Sequence, residues 1–194
     1  MLLQYHDLTV RNVTPEDAPQ LSLWWNDGRV MAHAGFPLGI NETVESIADN
    51  LRLDNEQHRR LMVLLSERPI GEMCYRMVDD KTAEIGIKIC DFSQQNKGYG
   101  KILLSLLIRA LFDDMGCVRI VLDTNLTNLR AQHVYERLGF ERQGMRKDCW
   151  LDQLGNLQSA VDYSLTRERL SLIHISRKNN IMFYKILLDR LYYA

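Results

Sequence analysis

Phe92-Ser93-Gln94-Gln95-Asn96-Lys97-Gly98-Tyr99-Gly100-Lys101 lies between two apolar runs. Two glycines one residue apart at a helix start are suited to one task. The first turn of a helix offers unpaired N–H groups and a partial positive charge, and glycine removes the Cβ that would keep an anion away. The chemistry this spacing suggests is phosphate held by main-chain amides; a plain tight turn would use the same residues. The two common nucleotide loops do not fit. G-x-x-x-x-G-K-S/T is absent, and Leu103 stands where G-x-G-x-x-G needs its third glycine.

The elements that must position these residues are readable from periodicity. "LTVRNV" alternates like a strand. Thr14, Pro15 and Asp17 then form a helix start, with a helix expected to about Asn26 despite Pro19. Asp27 to Ile40 reads as a loop punctuated by Gly and Pro, and Glu42 to Leu53 as an amphipathic helix. "RLMVLLSE", "PIGEMCYRMV" and "TAEIGIKIC", separated by turn residues, suggest an antiparallel meander. After the glycines, Lys101, Ser105, Arg109 and Asp113 form one wet stripe on an otherwise apolar helix. "CVRIVLDT" reads as a central strand. "NLRAQHVYERLGF" places Ala131, Val134, Tyr135 and Leu138 on one face, with Gly139 as the stop. Two strands are expected around Phe140 to Trp150 and Ser159 to Thr166. A strand–helix–strand unit after a meander implies an α/β (α+β) fold whose mixed, mostly antiparallel sheet has its parallel pair at the glycine loop, flanked by about four helices.

Composition narrows the function classes. The 194 residues suit one domain with an appendage, and the net charge of −1 provides no field for nucleic acid and no basic face for membranes. Cys74, Cys90, Cys117 and Cys149 stand singly in apolar surroundings, without Cys/His clustering. They read as reduced core thiols in a cytoplasmic protein, with no metal site and no disulfide framework. The N-terminus has no signal-peptide pattern, and no segment has the apolar length of a membrane span.

The residues before the glycines carry a resemblance. Gln95-x-x-Gly98-x-Gly100 resembles the Gln/Arg-x-x-Gly-x-Gly/Ala signature of the GNAT superfamily of N-acetyltransferases. "NLRAQHVYERLGF" is similar to the family's second signature, an Asn-x-x-Ala helix start leading into Tyr-Glu-x-Leu-Gly-Phe. Both are in the family's order with one strand between them, and the resemblance covers roughly residues 8–169. "VDYSL", Val161 to Leu165, resembles the last strand of the branch with ribosomal-protein N-terminal, polyamine and aminoglycoside acetyltransferases.

This resemblance implies an acetyl-CoA-dependent transfer to a primary amine, on a small molecule or a protein N-terminus, by direct attack in a ternary complex. The loop amides of Gln95, Asn96, Lys97, Gly98, Tyr99, Gly100 and Lys101 would hold the pyrophosphate. The open strand edge at Ile87, Lys88 and Ile89 would bind the pantetheine arm, an N–H near Ile87 polarising the thioester carbonyl. Asn128 would touch the same arm. An acceptor lysine-like ammonium at pH 7 stands about 3.4 pKa units, about 4.6 kcal/mol, from its nucleophilic form. Glu84, fourteen residues before Gly98, is similar to the family's general base, with Glu72 in reserve; a solvated strand-end charge is the other reading of Glu84. Tyr135 would protonate the leaving thiolate, or else be only core. Trp24, Trp25, His33 and Phe36 are the expected acceptor walls. A non-catalytic acetyl-CoA-binding module is the alternative. Residues 1–169 would form the domain, and 170–194 an extension of unknown role whose apolar stretch is compatible with a homodimer.

Overall fold

The computed structural model describes residues 1–170. The extension expected over 170–194 lies outside them, apart from Leu170. Eight strands form one sheet: β1 (Leu2–Tyr5), β2 (Leu8–Asn12), β3 (His58–Leu65), β4 (Arg68–Asp79), β5 (Thr82–Ile89), β6 (Arg119–Asn125), β7 (Glu141–Leu151) and β8 (Leu157–Thr166). Their order is β1-β2-β3-β4-β5-β6-β8-β7. Every neighbouring pair is antiparallel except β5 and β6. The expected meander is β3–β4–β5, and the expected parallel pair flanks the glycine loop. β1 was not expected; it is short and owes its strand form to a hairpin with β2.

Helices α1 (Ala18–Trp25), α2 (Gly28–Met31) and α3 (Val44–Leu51) follow β2, α4 (Tyr99–Arg109) crosses from β5 to β6, and α5 (Leu129–Leu138) follows β6. Pro19 does not disturb α1, because it lies in the first turn, where a proline needs no N–H acceptor. The stretch from Asp27 to Ile40, expected as loop, contains α2 and a 3₁₀ turn at Ala32–Ala34, the Asp27 side chain capping α2 through the Arg29 amide. The Ser105 hydroxyl on the wet stripe of α4 donates to the Lys101 carbonyl (2.8 Å), and Arg109 meets Asp113 at 3.5 Å.

Two apolar cores lie on opposite faces of the sheet. Leu103, Leu107, Tyr135 and Leu138 pack on one face against Ile85, Ile120 and Tyr163. Leu21, Trp25 and Ile47 pack on the other against Met62 and Cys90. Successive strand residues alternate faces, so Arg60, Glu72, Lys88 and Asp123 share the α1–α3 side with Met62. Cys90 and Cys117 are buried and Cys74 is partly so, whereas Cys149 is exposed on edge strand β7. Its reading as a core thiol is therefore corrected. Most of the other β7 side chains are exposed too, Trp150 being half-buried.

Candidate active site

The parallel pair does not stay paired. β5 and β6 are in register at Thr82↔Arg119, Ala83↔Ile120 and Glu84↔Val121 and then part. β4 still holds β5 as far as Ile89, and β8 holds β6 as far as Asn125. The two inner edges are consequently left open, and a cleft of about 1270 Å³ runs through the gap. It exceeds the usual volume of a small-ligand site and suits two ligands meeting at the strand split.

At one end of the cleft lies the glycine loop. Gly98 is the N-cap of α4 at φ 83°, a conformation favouring glycine. A Cβ at Gly98 or Gly100 would meet no protein atom within 4 Å, so both glycines face open space. Among the described residues, the amides of residues 96–100 have no hydrogen-bond acceptor. Gln95 braces the loop: its amide donates to the Ile89 carbonyl (2.8 Å) and its carbonyl accepts from Arg130 of α5 (2.7 Å). Arg130, which sequence reasoning missed, thereby brings a cation to the loop.

Of the expected coenzyme-binding residues, Ile87, Lys88, Ile89, Gln95, Asn96, Gly98, Tyr99, Gly100, Lys101 and Asn128 all line the cleft. Lys97 does not; its ammonium donates to Gln94 (3.0 Å). Asn128 also caps α5, accepting from the Ala131 amide (3.3 Å) and donating to the Thr124 hydroxyl (3.2 Å).

Tyr135 lines the cleft from α5 and is 7% exposed. Phe140 and Tyr163 hold its ring edge-on, with centroids 6.0 and 5.8 Å away. Its hydroxyl makes no hydrogen bond among the described residues. Burial, with smaller effects from Asp123 and Tyr163, pushes the phenol up to about 12. It therefore carries its proton at neutral pH and has that proton free to donate.

The carboxylates divide differently from expectation. Glu84 is not among the residues lining the cleft; it forms an ion pair with Arg76 of β4 (Nε at 3.0 Å). The reason is its position at the last paired residue before the strands part. Glu72 does line the cleft. It is buried, and its Oε1 accepts from the Trp25 indole (3.0 Å) and from Lys88 (2.9 Å). Glu72→Ala would leave a buried indole N–H and a half-buried ammonium unpaired. We expect a loss of about 2 to 3 kcal/mol, read from the denaturant midpoint. Asp123, on the open edge of β6, also lines the cleft, with its side chain about half exposed (47%). Its charge reaches Tyr135, and Arg146 of β7 ties it to Asp162. Sequence reasoning passed over Asp123, because only the sheet register reveals which face it occupies.

The residues expected to wall an acceptor are also placed differently. Trp24 and Trp25 are buried in the second core and do not line the cleft; their apolar area is needed to hold α1 on the sheet. Trp25 reaches the site through Glu72. His33 lines the cleft, whereas Phe36 lies outside it and exposed. Phe92 and Trp150 supply aromatic surface instead. Trp150 packs where a side chain at residue 35 would be: a Cβ on Gly35 would lie 2.3 Å from its ring. Gln153 locks the two segments together, its amide N–H donating to the Gly35 carbonyl (2.8 Å) and its side chain to the Gly39 carbonyl (2.9 Å).

Among the described residues no cluster of three or more His, Cys, Asp or Glu could hold a metal ion, and no helix is long and apolar enough to cross a membrane.

Comparison with known proteins gives a consistent picture. The family described as "Acetyltransferase (GNAT) domain" matches residues 7–141. An aminoglycoside N(6')-acetyltransferase type 1 from Klebsiella pneumoniae is 43% identical over 155 residues, covering 71% of this chain and 75% of that protein. A spermidine N-acetyltransferase from Vibrio cholerae, solved with CoA and spermine, superposes with a TM-score of 0.76 at 20% identity, covering 86% of this chain and 99% of that one. A ribosomal L7/L12 alpha-N-protein acetyltransferase in complex with coenzyme A superposes at 0.77 with 15% identity, covering 86% and 98%. The two solved structures speak to the fold alone.

Proposed function

This chain belongs to the GNAT acetyltransferase family, and on that premise we propose that it transfers the acetyl group of acetyl-CoA to a primary amine of a small molecule. The observation that carries the reading is the union, in one cleft, of two open strand edges with loop amides and a protonated phenol hydroxyl that have no hydrogen-bond partner among the described residues. The 43% identity to an aminoglycoside acetyltransferase supports a small-molecule acceptor over a protein N-terminus.

Acetyl-CoA would supply the activated acetyl thioester, and its fit rests on observed features. The amides of residues 96–100, with Arg130 beside them, suit a diphosphate. The edge at Ile87 to Ile89 suits an amide-bearing arm that binds as a strand does. Asp123 takes the proton that the acceptor ammonium must lose, directly or through water, and Arg146 orients that carboxylate through their ion pair. The Tyr135 hydroxyl donates toward the departing sulfur. Asp123 replaces Glu84 in the base role because it stands past the point where the strands part. Asp123→Asn should lower kcat about 100-fold, with a much smaller change in acetyl-CoA KM.

The test is release of free CoA thiol across a panel of primary amines. Release that depends on the amine supports transfer. Coenzyme binding without release from any amine would favour a non-catalytic module and contradict the proposal.

A further inference from the structure

The acceptor end of the cleft carries a cation that no carboxylate among the described residues neutralises. Arg29 pairs with Asp27 and Lys88 pairs with Glu72. Arg60, half-buried on β3 and lining the same cleft, forms no ion pair among the described residues. Asp54 accepts from the Arg60 backbone amide (2.6 Å) but does not reach its guanidinium. Instead the guanidinium lies over the Trp25 ring, 4.6 Å from the centroid.

That stacking matters chemically. It engages the face of the guanidinium and fixes its plane, leaving the in-plane N–H fork for an oxyanion. Lys88 beside it is neutralised by Glu72, so the Arg60 guanidinium is the charge left to meet an anion on the acceptor.

The register places this cation relative to the chemistry. Arg60 pairs with Cys74, and Cys74 with Gly86. Glu84 pairs with Val121, so Gly86 is level with Asp123. Arg60 thus stands on β3 and Asp123 on β6, two paired strand spacings (about 10 Å) plus the wider β5–β6 gap apart at the backbone, with both side chains on the α1–α3 face. The coenzyme loop lies farther along, beyond the end of β5, and leads into α4 on the other face. Arg60 is therefore placed to meet the acceptor and not the coenzyme phosphates.

We propose that Arg60 is a specificity-determining residue, and that the acceptor is a small amine that also carries an oxyanion, carboxylate or phosphate, several bonds from the reacting nitrogen. The amine faces Asp123 and the oxyanion seats in the Arg60 fork. This rests on the transfer reading above and narrows its substrate class.

Matched amines test it: lysine against cadaverine, phosphoethanolamine against ethanolamine, with kanamycin as a polycationic comparator. The wild-type protein is expected to acetylate the anion-bearing member of at least one pair with a kcat/KM about tenfold or more above its partner and above kanamycin. The pair that responds distinguishes carboxylate from phosphate. Arg60→Gln should bring that ratio toward one, and Arg60→Lys, which keeps the charge but loses the fork, should restore part of it. Unchanged CoA affinity by calorimetry in both variants would confirm that they fold. Preference for cadaverine, ethanolamine or kanamycin would overturn the inference and leave the transfer reading standing. So would equal losses on both members of a pair in Arg60→Gln. No thiol release from any amine would overturn both.

Discussion

Gly98→Asp is expected to abolish coenzyme A binding while the chain still folds. The substitution projects a carboxylate into the space in front of the loop amides, where the proposed diphosphate sits. Juxtaposed like charges cost several kcal/mol, so calorimetry should show affinity falling by about 100-fold or more. The fold should persist for two reasons. A Cβ at this position meets no protein atom, and Asp is among the residues that tolerate the left-handed conformation, at about 1 kcal/mol here. A far-ultraviolet spectrum like the wild type together with undiminished affinity would refute the loop assignment.

Tyr135→Phe separates chemistry from packing. If the hydroxyl donates to the leaving sulfur, turnover should fall about 100-fold while acetyl-CoA KM changes little. The ring's contacts with Phe140 and Tyr163 survive in the variant. The lost hydroxyl is buried without a partner among the described residues, so stability should be unchanged or rise by up to about 1 kcal/mol. Unaltered turnover would make Tyr135 a core residue only. The pH dependence has a definite sign. Burial raises the phenol to about 12 from its ordinary 10, so the folded state holds this proton more tightly than the unfolded chain. The associated stability is fully present below about pH 10 and is lost as pH rises toward 12. No alkaline fall in turnover below about pH 10 should trace to Tyr135.

Particular residues show why the fold was readable and part of the site was not. The β3–β5 meander announced itself because alternating apolar runs were bounded by turn residues, and α4 and α5 because their apolar faces repeat at helical spacing. Gly98 and Tyr135 were legible because each lies inside a contiguous motif whose geometry is local. The parting of β5 from β6 was not legible from local pattern, since an apolar strand reads alike whether its edge is paired or open. That single feature decided the carboxylates. Glu84 and Asp123 share a face, yet one stands at the last paired residue and the other beyond it. Trp25 illustrates a second limit: adjacent tryptophans do not reveal which of them supports a site from beneath. Arg60 and Trp150 join the cleft through pairings and tertiary contacts distant in sequence, which no spacing rule captures.

The central claim is that the unpaired amides before α4 and the phenol on α5 grip the two ends of one coenzyme across the strand gap. A crystal structure of the protein with acetyl-CoA tests it most directly. The account predicts the diphosphate against the amides of residues 96–100, with the sulfur within hydrogen-bond reach of the Tyr135 hydroxyl. A diphosphate seated elsewhere, or a sulfur remote from that hydroxyl, would contradict it.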